Sequence, residues 1–125
     1  METEFMNCIV AFIQPFQLER VVDSLRQLPD FPGLSVSEVR GFGRHAAHPP
    51  RAGERSEVDA FQSRVRLEIY APGAAVSTIV EVIRQSARTG HAGDGIVFVT
   101  DVAWALRIRT GQLGSAALRD NPGEG

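Results

Sequence analysis

Three places in this 125-residue chain hold residue types that could do chemistry. The first is the turn Thr89-Gly90-His91-Ala92-Gly93-Asp94-Gly95. Glycines let backbone N–H groups approach an anion closely and form a nest. No Lys-Ser/Thr pair follows, and a strand rather than a helix comes next, so this is not a P-loop. A plain tight turn would use the same residues. The second place is Arg107 and Arg109, which share one face of an expected strand. Two guanidinium groups so spaced can fork onto one oligophosphate, whereas salt bridging, with Glu68 as a candidate partner, is the competing reading. The third is histidine. His45 and His48 could share a metal at i, i+3 beside Pro49 and Pro50, and His91 lies where it could donate to a phosphate. All 13 basic residues are arginine, so any phosphate contact must come from Arg, His or backbone N–H, and no Schiff-base lysine exists. No serine stands in a G-x-S-x-G context, and Asp94 and Asp101 flank a strand without an acid–base pairing. The expected role is not enzymatic.

These groups must be positioned by a small set of elements. Met6–Ile13 is a continuous apolar run and reads as a strand buried on both faces. Leu18, Val21, Val22, Leu25 and Leu28 follow at helical spacing until Pro29 and Pro32-Gly33 stop them. Residues 34–42 read as a second strand. From Gly43 to Ser63 no period is visible, and a loop that long in a compact domain is usually functional or disordered. Arg64–Tyr70 alternates polar and apolar residues strictly, as a half-buried strand does. Val76, Ile79, Val80, Ile83 and Ala87 mark the face of a second helix, and Ile96–Thr100 reads as a buried strand. Val102, Trp104, Leu106 and Ile108 predict a further short strand that carries the arginine pair on its other face, close enough to the glycine turn for both to border one cleft. The order predicts an α+β, ferredoxin-like split βαβ domain over residues 1–118, with residues 119–125 as a flexible tail. Its one open sheet face invites oligomerisation.

Composition narrows the classes further. The length suits one domain. A net charge of -2 argues against nucleic-acid binding driven by bulk charge. A single cysteine, Cys8, excludes an internal disulfide framework and is expected in the core. No apolar run reaches the roughly 20 residues that insertion across a bilayer requires, and Met1-Glu2-Thr3-Glu4 is acidic where a signal peptide is basic. The expectation is a cytoplasmic domain.

Several segments together resemble the PII family of nitrogen-regulatory signal proteins. They are Gln14-Pro15-Phe16-Gln17-Leu18, Ser35 through Arg44 with its Gly41-Phe42-Gly43-Arg44, Thr89-Gly90 with Gly93-Asp94-Gly95, Val99-Thr100-Asp101-Val102 and Arg107-Ile108-Arg109-Thr110-Gly111. The resemblance runs from about Met6 to Leu118. It implies a homotrimer with adenine-nucleotide sites in the clefts between subunits. It also implies a T-loop, here 43–63, that docks onto a membrane transporter or related regulatory protein. Carried over by position, the cleft would be lined by Ser35, Gly43, Arg44, Glu68, Gly93, Asp94, Gly95, Arg107 and Arg109. The glycine turn becomes a phosphate-cradling B-loop, and the two arginines reach in from the neighbouring subunit.

Departures from the family pattern shape the expected ligand. The B-loop of relatives ends Gly-Asp-Gly-Lys, and here Ile96 stands in place of the lysine. Losing one charge-assisted contact costs on the order of 1.5–3 kcal/mol, which would fall hardest on the γ-phosphate. The expectation is ADP or AMP over ATP, with His91 in partial compensation. His45 replaces the glutamine that helps relatives bind magnesium and 2-oxoglutarate, Arg64 replaces the lysine that meets 2-oxoglutarate, and Glu57 stands where some relatives carry a uridylylated tyrosine. Uridylylation is not expected. His45, His48, Arg64 and His91 are the candidates for contact with another effector or a divalent metal. The alternatives are a metal-responsive trimer linked to heavy-metal efflux, a bicarbonate-responsive regulator of inorganic-carbon uptake, and a slow ATPase.

Overall fold

The computed structural model describes residues 5–41 and 61–118. Strand β1 (Met6–Ile13) leads through a 3-10 turn at Pro15–Gln17 into helix α1 (Leu18–Arg26), then strand β2 (Ser35–Gly41). Strand β3 (Gln62–Pro72), helix α2 (Gly73–Ala87) and strand β4 (Gly95–Val102) complete the repeat, and a 3-10 turn at Gly114–Leu118 follows. The four strands form one antiparallel sheet in the order β2-β3-β1-β4. Two βαβ halves thus interleave, as the element order led one to expect.

The central strands are the ones whose sequence is most apolar. β1 has Ile9, Ala11 and Ile13 fully or almost fully buried, opposite Ile69, Leu67 and Val65 of β3. Both sets face α1 and α2, where Val21, Leu25, Ile79 and Ile83 close the core. Burial of such side chains stabilises by about 1.5–3 kcal/mol each before entropy is counted. Pro15 starts the first helical turn, where its missing N–H costs nothing, and the Gln17 N–H donates to the Gln14 carbonyl at 3.0 Å. α1 ends at Arg26, two residues short of Leu28, because the Gln27 and Leu28 amides tighten onto Ser24 and Leu25; Leu28 still packs against the core.

Three expectations are corrected. Ile96–Thr100 forms a strand, but β4 lies at the sheet edge and most of it is exposed, with Ile96 54% and Phe98 51% accessible. Two helices cover the central strands, and of β4 only Val97 packs against the core beneath them. The residues around Arg107 are not a strand face. The Gly111 N–H bonds the Arg107 carbonyl at 2.7 Å, the Arg107 N–H bonds Gln112 at 2.9 Å, and Leu106 bridges Leu113, so Arg107–Gly111 is a compact turn closed by a left-handed Gly111 (φ 74°). Gln62 and Ser63, expected in the long loop, instead open β3. Residues 43–60 of that loop, Gly43, Arg44, His45, His48 and Glu57 included, lie outside the described residues, as does the tail 119–125.

The open sheet face carries Val10 and Phe12 of β1, Glu68 and Tyr70 of β3, and Ile96 and Phe98 of β4. The rings of Phe12 and Phe98 meet edge to face at 6.5 Å. Trp104, Ile108 and Leu113 add exposed apolar surface beyond it.

Candidate functional site

The glycine turn is held in shape by one carboxylate. Asp94 Oδ2 accepts the backbone N–H groups of Thr89 and Gly90 at 2.8 and 2.9 Å, and Asp94 Oδ1 accepts the Thr89 hydroxyl. The Thr89 oxygen in turn accepts the His91 N–H at 3.2 Å. These bonds, the Thr89 side chain first, hold the Asp94 carboxyl below its ordinary value, helped by the nearby His91. Asp94 is therefore the staple of the loop. Its stabilisation is complete above the ordinary carboxyl value of 3.8 and is lost as pH falls through the lower folded value. Thermal melts of Asp94→Asn and wild type should differ at pH 7 and converge below that point. A gap that stays constant down to pH 2 would exclude this staple.

The loop is also docked onto the end of β1. Gln14 Nε2 donates to the Gly93 carbonyl at 2.7 Å. Gly93 and Gly95 have φ of 92° and 118°. A Cβ at Gly93 would touch Gln14 Nε2 at 3.3 Å and an Arg64 guanidinium nitrogen at 3.4 Å. Arg64 is itself oriented by bonds to the Ser63 carbonyl at 2.8 Å and to Gln62 Oε1 at 2.9 Å. Gln14 had no assigned role in the sequence. Only the register of β1 against β4, which sets Ile13 opposite Gly95, shows that it meets the loop. His91 is exposed. A crevice of about 470 Å³ beside the loop is lined by Ile83, Arg84, Ala87, Arg88, Asp94 and Ile96, among others. The larger hollow, about 700 Å³, lies at Pro29–Pro32 and Ala74–Ala75, away from these groups.

Glu68 stands on the open face, opposite Ser35 of β2. It pairs with Arg66 of its own strand at 3.3 Å. Arg66 and then the Tyr70 hydroxyl hold the Glu68 carboxyl below its ordinary value. Arg107 is half-buried and Arg109 exposed.

The glycine turn and the arginine pair lie off opposite ends of β4. The turn precedes Gly95, and the arginines follow Val102, at the other end of β4. Seven strand steps of about 3.3 Å separate those ends by roughly 23 Å. Among the described residues, no group of three His, Cys, Asp or Glu side chains is placed to hold a metal ion, and no helix is long and apolar enough to cross a membrane.

Residues 6–112 match the family model described as nitrogen regulatory protein P-II. The chain belongs to the P-II family. It is 40% identical over 113 residues to nitrogen regulatory protein P-II 1 of Escherichia coli K12, an alignment that spans 90% of this chain and all of that protein. It is 37% identical, with the same coverage, to nitrogen regulatory protein P-II of Azospirillum brasilense. The fold matches a crystal structure of Arabidopsis thaliana PII bound to citrate, with a TM-score of 0.70 and 30% identity over 93% of this chain and 94% of that one. P-II proteins are signal-transduction regulators, and nucleotide binding and trimeric assembly are typical of the family.

Proposed function

We propose that this P-II protein is a homotrimeric regulator that binds ADP or AMP in preference to ATP in clefts between subunits, and that it controls a membrane transporter or related partner through its T-loop. The observation that carries the reading is the separation of the two half-sites along β4. One subunit supplies Gly93, Asp94, Gly95 and Arg64 at the loop end. The neighbour supplies Ser35, Glu68, Arg107 and Arg109. Gly43 and Arg44 complete the loop half by family position. Exposed Ile96, Phe98 and Trp104 give the subunit a broad apolar surface suited to burial against copies of itself. The residues present fit a nucleotide: the arginines offer charge to phosphate, and the glycine loop beside them in the cleft is pre-shaped by Asp94.

Nucleotide choice follows from Ile96. It is 54% exposed on the open face, opposite Phe12, and cannot pair with a terminal phosphate. The small effector is an anion that meets Arg64 beside Gly93, a class that includes bicarbonate and carboxylates. The citrate bound to the Arabidopsis neighbour is an anion of this kind. The alternative reading, a metal-responsive trimer, has His45 and His48, three residues apart, as the ligands of a divalent metal.

Calorimetric titration with ADP, AMP and ATP, run beside sedimentation of the purified protein, tests the reading. The expected result is a trimer that binds ADP or AMP more tightly than ATP. Ile96→Lys should then raise ATP affinity relative to ADP by about tenfold or more, since a charge-assisted bond is worth about 1.5–3 kcal/mol. A monomer, or a trimer silent to all three nucleotides, refutes the reading. ATP preference in wild type refutes the role of Ile96.

A further inference from the structure

The open face carries one polar array built on a single strand. Arg66, Glu68 and Tyr70 alternate with the buried Leu67 and Ile69 along β3, so all three project to that face. The Tyr70 hydroxyl donates to Glu68 Oε1 at 2.8 Å. The Arg66 guanidinium reaches both carboxylate oxygens, at 3.3 and 3.4 Å. The Glu68 side chain nonetheless keeps 27% of its surface accessible. Register sets Ser35 of β2 on one side of Glu68 and Val10 of β1 on the other. Tyr70 stands beside Cys8 of β1 and is itself 44% exposed, so the core does not require its ring.

The chemistry of this array is directional. Its bond to Glu68 first, and Cys8 second, push the Tyr70 hydroxyl up to about 12. The other titratable groups facing the pair are Arg66 on the same strand and Cys8 on β1; β2 presents only the neutral Ser35 and Ser37 there. A carboxylate pinned from two sides repels phosphate and accepts from neutral hydroxyl or amino donors. It therefore suits the nucleoside end of a nucleotide, just as the glycine loop and arginines suit the phosphate end.

We propose that Tyr70 is a positioning residue for nucleoside recognition, fixing Glu68 as an acceptor for a sugar hydroxyl or base amino group of the bound nucleotide. The proposal rests on the inter-subunit cleft described above. Its test is Tyr70→Phe, which removes only the hydroxyl. The readouts are the pH titration of the Glu68 carboxyl by carbon NMR and affinities for ADP, 3′-deoxy-ADP, inosine diphosphate and inorganic pyrophosphate. The variant should titrate Glu68 closer to its ordinary value of 4.5. It should bind ADP roughly 5- to 10-fold more weakly, the size of one lost hydrogen bond, with pyrophosphate affinity unchanged. It should also narrow whichever preference wild type shows: over 3′-deoxy-ADP if the sugar is the donor, over inosine diphosphate if the base is. An unmoved Glu68 titration, or unchanged ADP affinity and selectivity, overturns the role of Tyr70 while the cleft stands. A wild-type protein that binds no ADP overturns both.

Discussion

Gly95→Ala should unfold the subunit. The backbone there has φ of 118°, which side-chain-bearing residues rarely adopt. A Cβ would overlap the Phe12 carbonyl oxygen and come within 2.9 Å of its carbon. That carbonyl belongs to the central strand β1, so it cannot swing aside without breaking the ladder that pairs Ile13 with Gly95. Strain and steric overlap together place the cost on the order of 4 kcal/mol or more, a large part of the stability of a small domain. Urea unfolding followed by circular dichroism would show it directly. Gly93→Ala makes an internal comparison. Its φ is also positive, but its Cβ would meet only the ends of the Gln14 and Arg64 side chains, which can give way. Its loss should be clearly smaller. Equal midpoints for Gly95→Ala and wild type would contradict the close approach of loop and strand.

The second large effect concerns ligand. Arg107→Ala should weaken ADP binding by about 10- to 150-fold, the range for a charge-assisted hydrogen bond of about 1.5–3 kcal/mol, and adding Arg109→Ala should weaken it further. The subunit should keep its fold, because the turn at 107–111 is closed by backbone bonds to Gln112 and Gly111 that a side-chain change leaves in place. Arg64→Glu, at the loop end, should also lose binding. Mixing the arginine-deficient and Arg64→Glu subunits then separates two geometries. If each site takes its loop from one subunit and its arginines from the next, mixed trimers regain some intact sites and part of the heat of binding. If both halves came from one chain, mixing would restore nothing.

How much of this could be read beforehand depends on the kind of signal. β1 and β3 were legible because an unbroken apolar run and a strict alternation each have one simple explanation in a sheet. The faces of α1 and α2 were legible for the same reason. β4 shows the limit: an apolar run says that water is disfavoured, not what covers it, and two helices cover little of the edge strand. The alternation from Val102 to Ile108 imitated a strand because period alone does not register the backbone bonds that fold Arg107–Gly111 into a turn. The candidate site divided similarly. The glycines and arginines could be picked out by type. That they flank one strand was already legible in the order of turn, strand and arginines along the chain. The contacts of Gln14 with Gly93, of Asp94 with Thr89, and of Tyr70 with Glu68 depend on register and on side-chain direction, so residue type could not announce them.

The internal bracing of the loop by Asp94 has a consequence for signalling. A loop whose amides and hydroxyl are already tied together before any anion arrives gains little new order when one does. It behaves as a rigid socket, whose conformational entropy has been given up during folding and not at the moment of binding. A rigid socket discriminates well but reports poorly, since it has nearly the same shape empty and full. Information about occupancy must leave by the side of the cleft that is not self-braced. In this fold that exit is where the β2–β3 ladder ends, at Gly41 and Gln62, with Arg64 reaching from that margin to the socket.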